Sequence, residues 1–147
     1  MIQYISGMLC EFTIISQQTE QMSLINVVEG FNVSKLPVSI PRLELVLNWR
    51  RPSKDTSDKQ AKARIFFKNS SGESISEKKF AFELSYPTDK KRMRTIIDLS
   101  GTALSTSGET TIVIELSTDD KTWQEVGQVV FDVNEVPTPQ ETTKLAQ

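Results

Sequence analysis

Leu43-Glu44-Leu45-Val46-Leu47-Asn48-Trp49-Arg50 decides the fold class, because its large apolar side chains recur at every second position. A β-strand sends successive side chains to opposite faces. The period therefore buries Leu43, Leu45, Leu47 and Trp49 together, and turns Glu44, Val46, Asn48 and Arg50 to a largely polar face. The same period returns at Phe80, Phe82, Leu84 and Tyr86, alternating with Ala81, Glu83 and Ser85. It returns again at Ile112, Ile114 and Leu116, alternating with Thr111, Val113 and Glu115.

Extended outward from these stretches, the pattern predicts strands near 8–15, 23–32, 43–50, 61–68, 77–86, 93–99, 110–117 and 124–133. The segments Asn69-Ser70-Ser71-Gly72-Glu73 and Ser117-Thr118-Asp119-Asp120-Lys121 consist of residues that favour tight turns, so hairpins and antiparallel pairing follow. Gly101 to Gly108 reads as a short Ser/Thr-rich link, and no stretch shows an amphipathic helix with caps. About eight short strands, each with one apolar face, predict an all-β fold: a two-layer antiparallel β-sandwich, Ig-like or C2-like, with a β-barrel as second choice. A single domain is expected over 1–136, with a charged loop from Arg51 to Gln60 and a flexible tail over 137–147 that carries Pro137 and Pro139 but no core pattern.

With 147 residues, of which 37% are hydrophobic and 24% charged, the chain is long enough to build one core without disulfide or metal. No apolar run approaches the ~20 residues of a membrane helix, and Met1 to Phe12 shows no export signal, so no membrane partner is expected. The lone thiol, Cys10, fits a reducing compartment, and the expected location is cytoplasmic. A net charge of −2 gives no global attraction to nucleic acid.

The chain contains no histidine. This removes Ser-His-Asp and Cys-His machinery, and one cysteine without histidine cannot make a structural zinc site. Neither a phosphate-binding glycine loop nor a dinucleotide fingerprint occurs, so no cofactor is expected. Carboxylates at strand positions, Glu11, Glu29, Glu44, Glu83 and Glu115, could serve a hydrolase, although Glu on the solvent face of an antiparallel strand is the ordinary expectation. Asp55, Asp58, Asp119 and Asp120 could approach calcium, but no loop alternates Asp and Asn densely enough for a dedicated site.

Two features mark surfaces. Basic residues gather at Arg50, Arg51 and Lys54 and at Lys90, Lys91, Arg92 and Arg94, so Arg50, Arg51, Lys90, Lys91 and Arg92 form a candidate anion-binding patch if the two loops meet. Trp49 and Tyr86 border it, but they stand in phase with the inward faces of their strands, which argues against base stacking. The stretch from Ser117 to Trp123 resembles the Asp-box turn of sialidases and other β-propellers. It occurs once and lacks the glycine, leaving a hairpin in which an Asp bonds back to turn amides and the Trp covers the base.

Met8-Leu9-Cys10-Glu11, Ser23 through Phe31, and Pro41-Arg42-Leu43-Glu44-Leu45-Val46-Leu47 resemble an uncharacterised family of small bacterial proteins, a domain of unknown function. Its members open on a short strand holding a Cys, then a turn and a second strand, and later a Pro-rich link into an alternating strand. The resemblance centres on residues 8–50 and implies a bacterial β-sandwich; it brings no activity and no site residue.

The function expected from these readings is a non-catalytic protein-binding or scaffold module that meets a protein partner or its own copy. Sandwich edges and loop ends are the surfaces such a module offers. A carbohydrate- or small-ligand-binding sandwich is the alternative, a carboxylate-dependent hydrolase the third reading, and nucleic acid binding the fourth.

Overall fold

The computed structural model describes residues 2–51, 60–75, 79–85 and 91–136, Gln60 by its backbone only. The described residues are all-β, without a helix. They hold eleven strands: β1 (Gln3–Ile15), β2 (Met22–Val28), β3 (Gly30–Val33), β4 (Val38–Ile40), β5 (Glu44–Arg50), β6 (Gln60–Lys68), β7 (Phe80–Ser85), β8 (Arg92–Asp98), β9 (Thr102–Leu104), β10 (Gly108–Ser117) and β11 (Gln124–Glu135). These lie in three sheets, ordered β2-β1-β5-β8, β3-β11-β10-β6-β7 and β4-β9.

The expected strand count of about eight is thus too low, for physical reasons. The stretch expected as one strand over 23–32 changes sheets at Glu29: Val28 opposes Leu9 of β1, while Phe31 opposes Val133 of β11. The β3–β11 pairing is parallel, against the expectation of antiparallel pairing throughout. Two segments expected as links, around Val38 and Ala103, are three-residue strands that pair with each other. The tail expected over 137–147 lies outside the described residues.

The inward phase of β5 behaves as its alternation requires: Leu43, Leu45, Leu47 and Trp49 are all buried. They join Leu9 and Ile97 of the same sheet and Ala63, Ile65, Ile112, Ile114, Phe131 and Val133 of the five-stranded sheet in one apolar cluster. Each large aliphatic or aromatic side chain removed from water there contributes roughly 1.5–3 kcal/mol. The phase expected for β7 is less complete, since Leu84 is buried but Phe80, at the end of this edge strand, is 55% exposed. Tyr86 lies outside the described residues.

β1 carries a bulge between Tyr4 and Ser6. One extra residue, Ile5, shifts the phase, so that Tyr4 meets Trp49 on the inward side while Ser6 meets Asn48 and Met8 meets Val46 on the outward side. The bulge thereby aligns the outward faces of β1 and β5.

Candidate functional site

The outward face of the β2-β1-β5-β8 sheet is graded in composition from one end to the other. Its rows follow from strand register. Gln3, Arg50 and Arg92 stand side by side across β1, β5 and β8; the next row is Ser6, Asn48 and Arg94, and the one after it Met8, Val46 and Ile96. At the far end Val27, Cys10, Glu44 and Asp98 form a fourth row. The face therefore runs from basic through apolar to acidic within four rows, a span of roughly 20 Å at the rise of a strand.

Its apolar part is only partly covered. Val46 and Cys10 are buried beneath their neighbours, whereas Ile5, Met8 and Val27 are about half exposed (53%, 48% and 49%) and Ile96 is 37% exposed. An open groove of about 870 Å³ follows this face, lined by Ile5, Ser6, Ile15, Asn48, Arg50, Arg92, Arg94 and Ile96 among others. Asn48 Nδ2 donates to Ser6 Oγ at 3.0 Å, tying β5 to β1 on the groove floor.

The two basic runs do meet here. Arg50 and Arg92 are directly opposed, both are exposed, and Arg94 follows two residues along the same face of β8. Lys91 is exposed beside them. Arg51 points elsewhere: it is 3% exposed, and its backbone N–H donates to the Lys91 carbonyl at 2.7 Å. The alternation already carries that signal, because Arg51 continues the inward phase of Leu47 and Trp49. Lys90 and Lys54 lie outside the described residues. Trp49 is a core residue, with its ring nitrogen donating to Thr95 Oγ1 at 3.1 Å, so it offers no stacking platform.

The carboxylates are brought to other tasks. Glu115, 14% exposed, accepts from Arg64 at 2.8 Å and has the Lys79 ammonium at 3.7 Å. Glu44 accepts from Thr13 Oγ1 at 2.9 Å, Glu11 accepts from Asn26 Nδ2 at 2.5 Å, and Glu29 and Glu83 are exposed. Asp120 pairs with Lys62 at 2.6 Å, while Asp55 and Asp58 lie outside the described residues.

The turn after β10 has the expected construction. The Asp119 carboxylate accepts from the amides of Lys121 at 2.9 Å and Thr122 at 2.7 Å, and from Ser117 Oγ at 3.1 Å. The two amides, Thr122 first, hold the Asp119 carboxyl down at about 2. Asp120 takes the left-handed conformation that closes the turn (φ 68°). Trp123 is capped by the Arg64 guanidinium, 4.1 Å above its ring. Two smaller cavities, of about 250 and 320 Å³, flank this turn and share Ser117, Thr118 and Asp119.

Sequence reasoning named the arginines of the groove but passed over Met8, Ile5 and Ile96. The available signal was Val46, an apolar residue at an outward position of an otherwise polar phase.

No curated protein matches this chain. A family model matches residues 6–133, well beyond the 8–50 stretch that carried the resemblance read from sequence. The match runs from β1, where Met8 and Cys10 stand on the graded face, almost to the end of β11, and so the chain belongs to a family of unknown function, DUF6941.

Proposed function

We propose that this chain is a non-catalytic protein-binding module, a two-layer β-sandwich formed by its two larger sheets, that docks a protein partner on the outward face of the four-stranded one. The observation that carries this reading is the set of exposed apolar side chains on that face, Ile5, Met8, Val27 and Ile96, left open to water around the buried Val46. Contiguous apolar patches on a sheet face mark interaction surfaces, because covering them removes area worth roughly 25 cal/mol per Å² from water. Engagement of the catalytically capable Glu115 by Arg64 and Lys79 supports a non-catalytic role over a carboxylate hydrolase. A cytoplasmic setting suits the single buried thiol.

A small-ligand module is the second reading. It is favoured by the groove's volume of about 870 Å³, which falls within the roughly 300–1,000 Å³ of ligand clefts.

The test combines light scattering with affinity capture from a native lysate, using the full chain and the double variant Met8→Glu/Ile96→Glu. Both positions are exposed, and a urea midpoint close to that of the wild type checks that the variant keeps its fold. The expected result is a complex, with itself or with captured protein, that the variant loses. A wild-type chain that stays monomeric and captures nothing, or a variant that captures the same proteins, overturns the proposal.

A further inference from the structure

Arg50 and Arg92 face each other across β5 and β8, and Arg94 stands one row further along the same face. Like charges directly opposed on neighbouring strands are destabilising, and side chains in that relation have Cβ atoms only about 4.5–5.5 Å apart. Among the described residues no carboxylate lies within ion-pair distance of any of the three. The charge is concentrated in a chain that is acidic as a whole. The five-stranded sheet, by contrast, neutralises cations: Lys62 of β6 meets Asp120 in the turn after β10, and Arg64 of β6 and the neighbouring Lys79 meet Glu115 of β10.

Building on the docking role above, we propose that the occupant of this face is an acidic segment of a partner protein, with carboxylates on Arg50, Arg92 and Arg94 and aliphatic side chains on the adjoining exposed Ile5, Met8 and Ile96. Two features select this occupant together. The arginines supply a planar, multidentate anion site. The apolar row begins about 7 Å away on the same strands, two residues along from Arg94 at Ile96, so the anion must belong to a molecule with apolar groups at strand-like spacing. A free phosphate or a nucleic acid backbone satisfies the arginines but leaves Ile96, Met8 and Ile5 in water. The acidic row at the opposite end, with Glu44 and Asp98, repels an occupant that is acidic along its whole length and fixes the direction in which a segment charged at one end lies.

The experiment measures fluorescence anisotropy of short labelled peptides against the full chain. One peptide opens on two Glu residues followed by alternating Leu and Ser; the second replaces Leu by Ser, and the third replaces Glu by Lys. The first is expected to bind, with affinity falling as salt rises, and the other two to bind at least about tenfold more weakly. Arg92→Glu/Arg94→Glu should weaken the first by about tenfold or more, and Ile96→Ser by severalfold. Equal binding of the first two peptides, or no effect of the arginine reversal, overturns the inference. So does retention of the chain on vesicles of mixed anionic and neutral lipid in an Arg92- and Arg94-dependent manner, or an arginine-dependent dimer in light scattering that excludes the peptide. If the Met8→Glu/Ile96→Glu variant loses captured partners while the arginine reversal retains them, the acidic occupant fails and the docking face stands.

Discussion

Tyr4 lies against Gly127 so closely that a Cβ at the glycine would stand 2.2 Å from the ring's Cε1 and 2.5 Å from Cδ1. The ring spans from β1 of one sheet to β11 of the other, and packs edge-on to Trp49 with centroids 5.7 Å apart. Absence of a side chain at Gly127 therefore sets how closely these two strands approach.

Gly127→Ala should destabilise the fold by about 1–3 kcal/mol through overpacking, read as a lower urea midpoint. Truncating the ring with Tyr4→Ala makes space, so Gly127→Ala should cost much less in that background. Strictly additive effects in the double-mutant cycle would show that the ring is not the cause.

Phe131 is 1% exposed and receives Phe31 and Phe67 edge-on, with centroids 5.6 and 6.4 Å away. Phe131→Ala should cost about 3–5 kcal/mol in equilibrium unfolding, whereas Phe80→Ala, at an exposed edge position, should cost about 1 kcal/mol or less. Similar losses at both positions would contradict the assignment of the core.

The Asp119 carboxyl, held at about 2, makes the turn after β10 acid-sensitive. Because folding depresses this group below the ordinary 3.8, its contribution is fully present above about pH 4 and is lost as the pH falls toward 2. Asp119→Asn keeps an acceptor but cannot titrate, so the stability difference between wild type and variant should shrink over that interval. A difference that stays constant from pH 5 to pH 2 in urea titrations would remove Asp119 from the acid response.

Cys10 is fully buried, and burial, followed by the nearby Glu44 carboxylate, pushes its thiol up. It should resist a disulfide exchange reagent at pH 8 in the native protein and react at once in denaturant. Rapid stoichiometric labelling of the native chain would place the thiol at the surface.

Much of this architecture was legible where alternation is unbroken, as in β5 and β10, because burial on one face imposes a strict period of two. It was illegible where the backbone departs from a flat ladder. The bulge at Ile5 reverses the phase of β1, which hides its first residues from a pattern that starts cleanly only at Met8. The move from β2 to β3 is made at a single bend residue, Glu29, too short a break to interrupt the strand pattern read over 23–32. The graded face was half legible. Two arginine runs nominated one end of it, but they are separated by β6 and β7, and only register could show that Arg50 opposes Arg92 while Arg51 turns inward.

The parallel pairing of β3 with β11 couples residues near the start of the chain to the last described strand, Asp132 with Gly30 and Val133 with Phe31. β11 sits between β3 and β10, so β3 has no neighbour in its sheet until residues 132–135 have been synthesised. During translation the hairpin of β1 and β2 can close locally, but the five-stranded sheet must wait for β11, and a nascent fragment stopped before β11 presents two unpaired strand edges to its surroundings. A stop codon just before Gln124, which removes β11 and leaves the preceding strands in place, is thereby expected to yield an aggregating species.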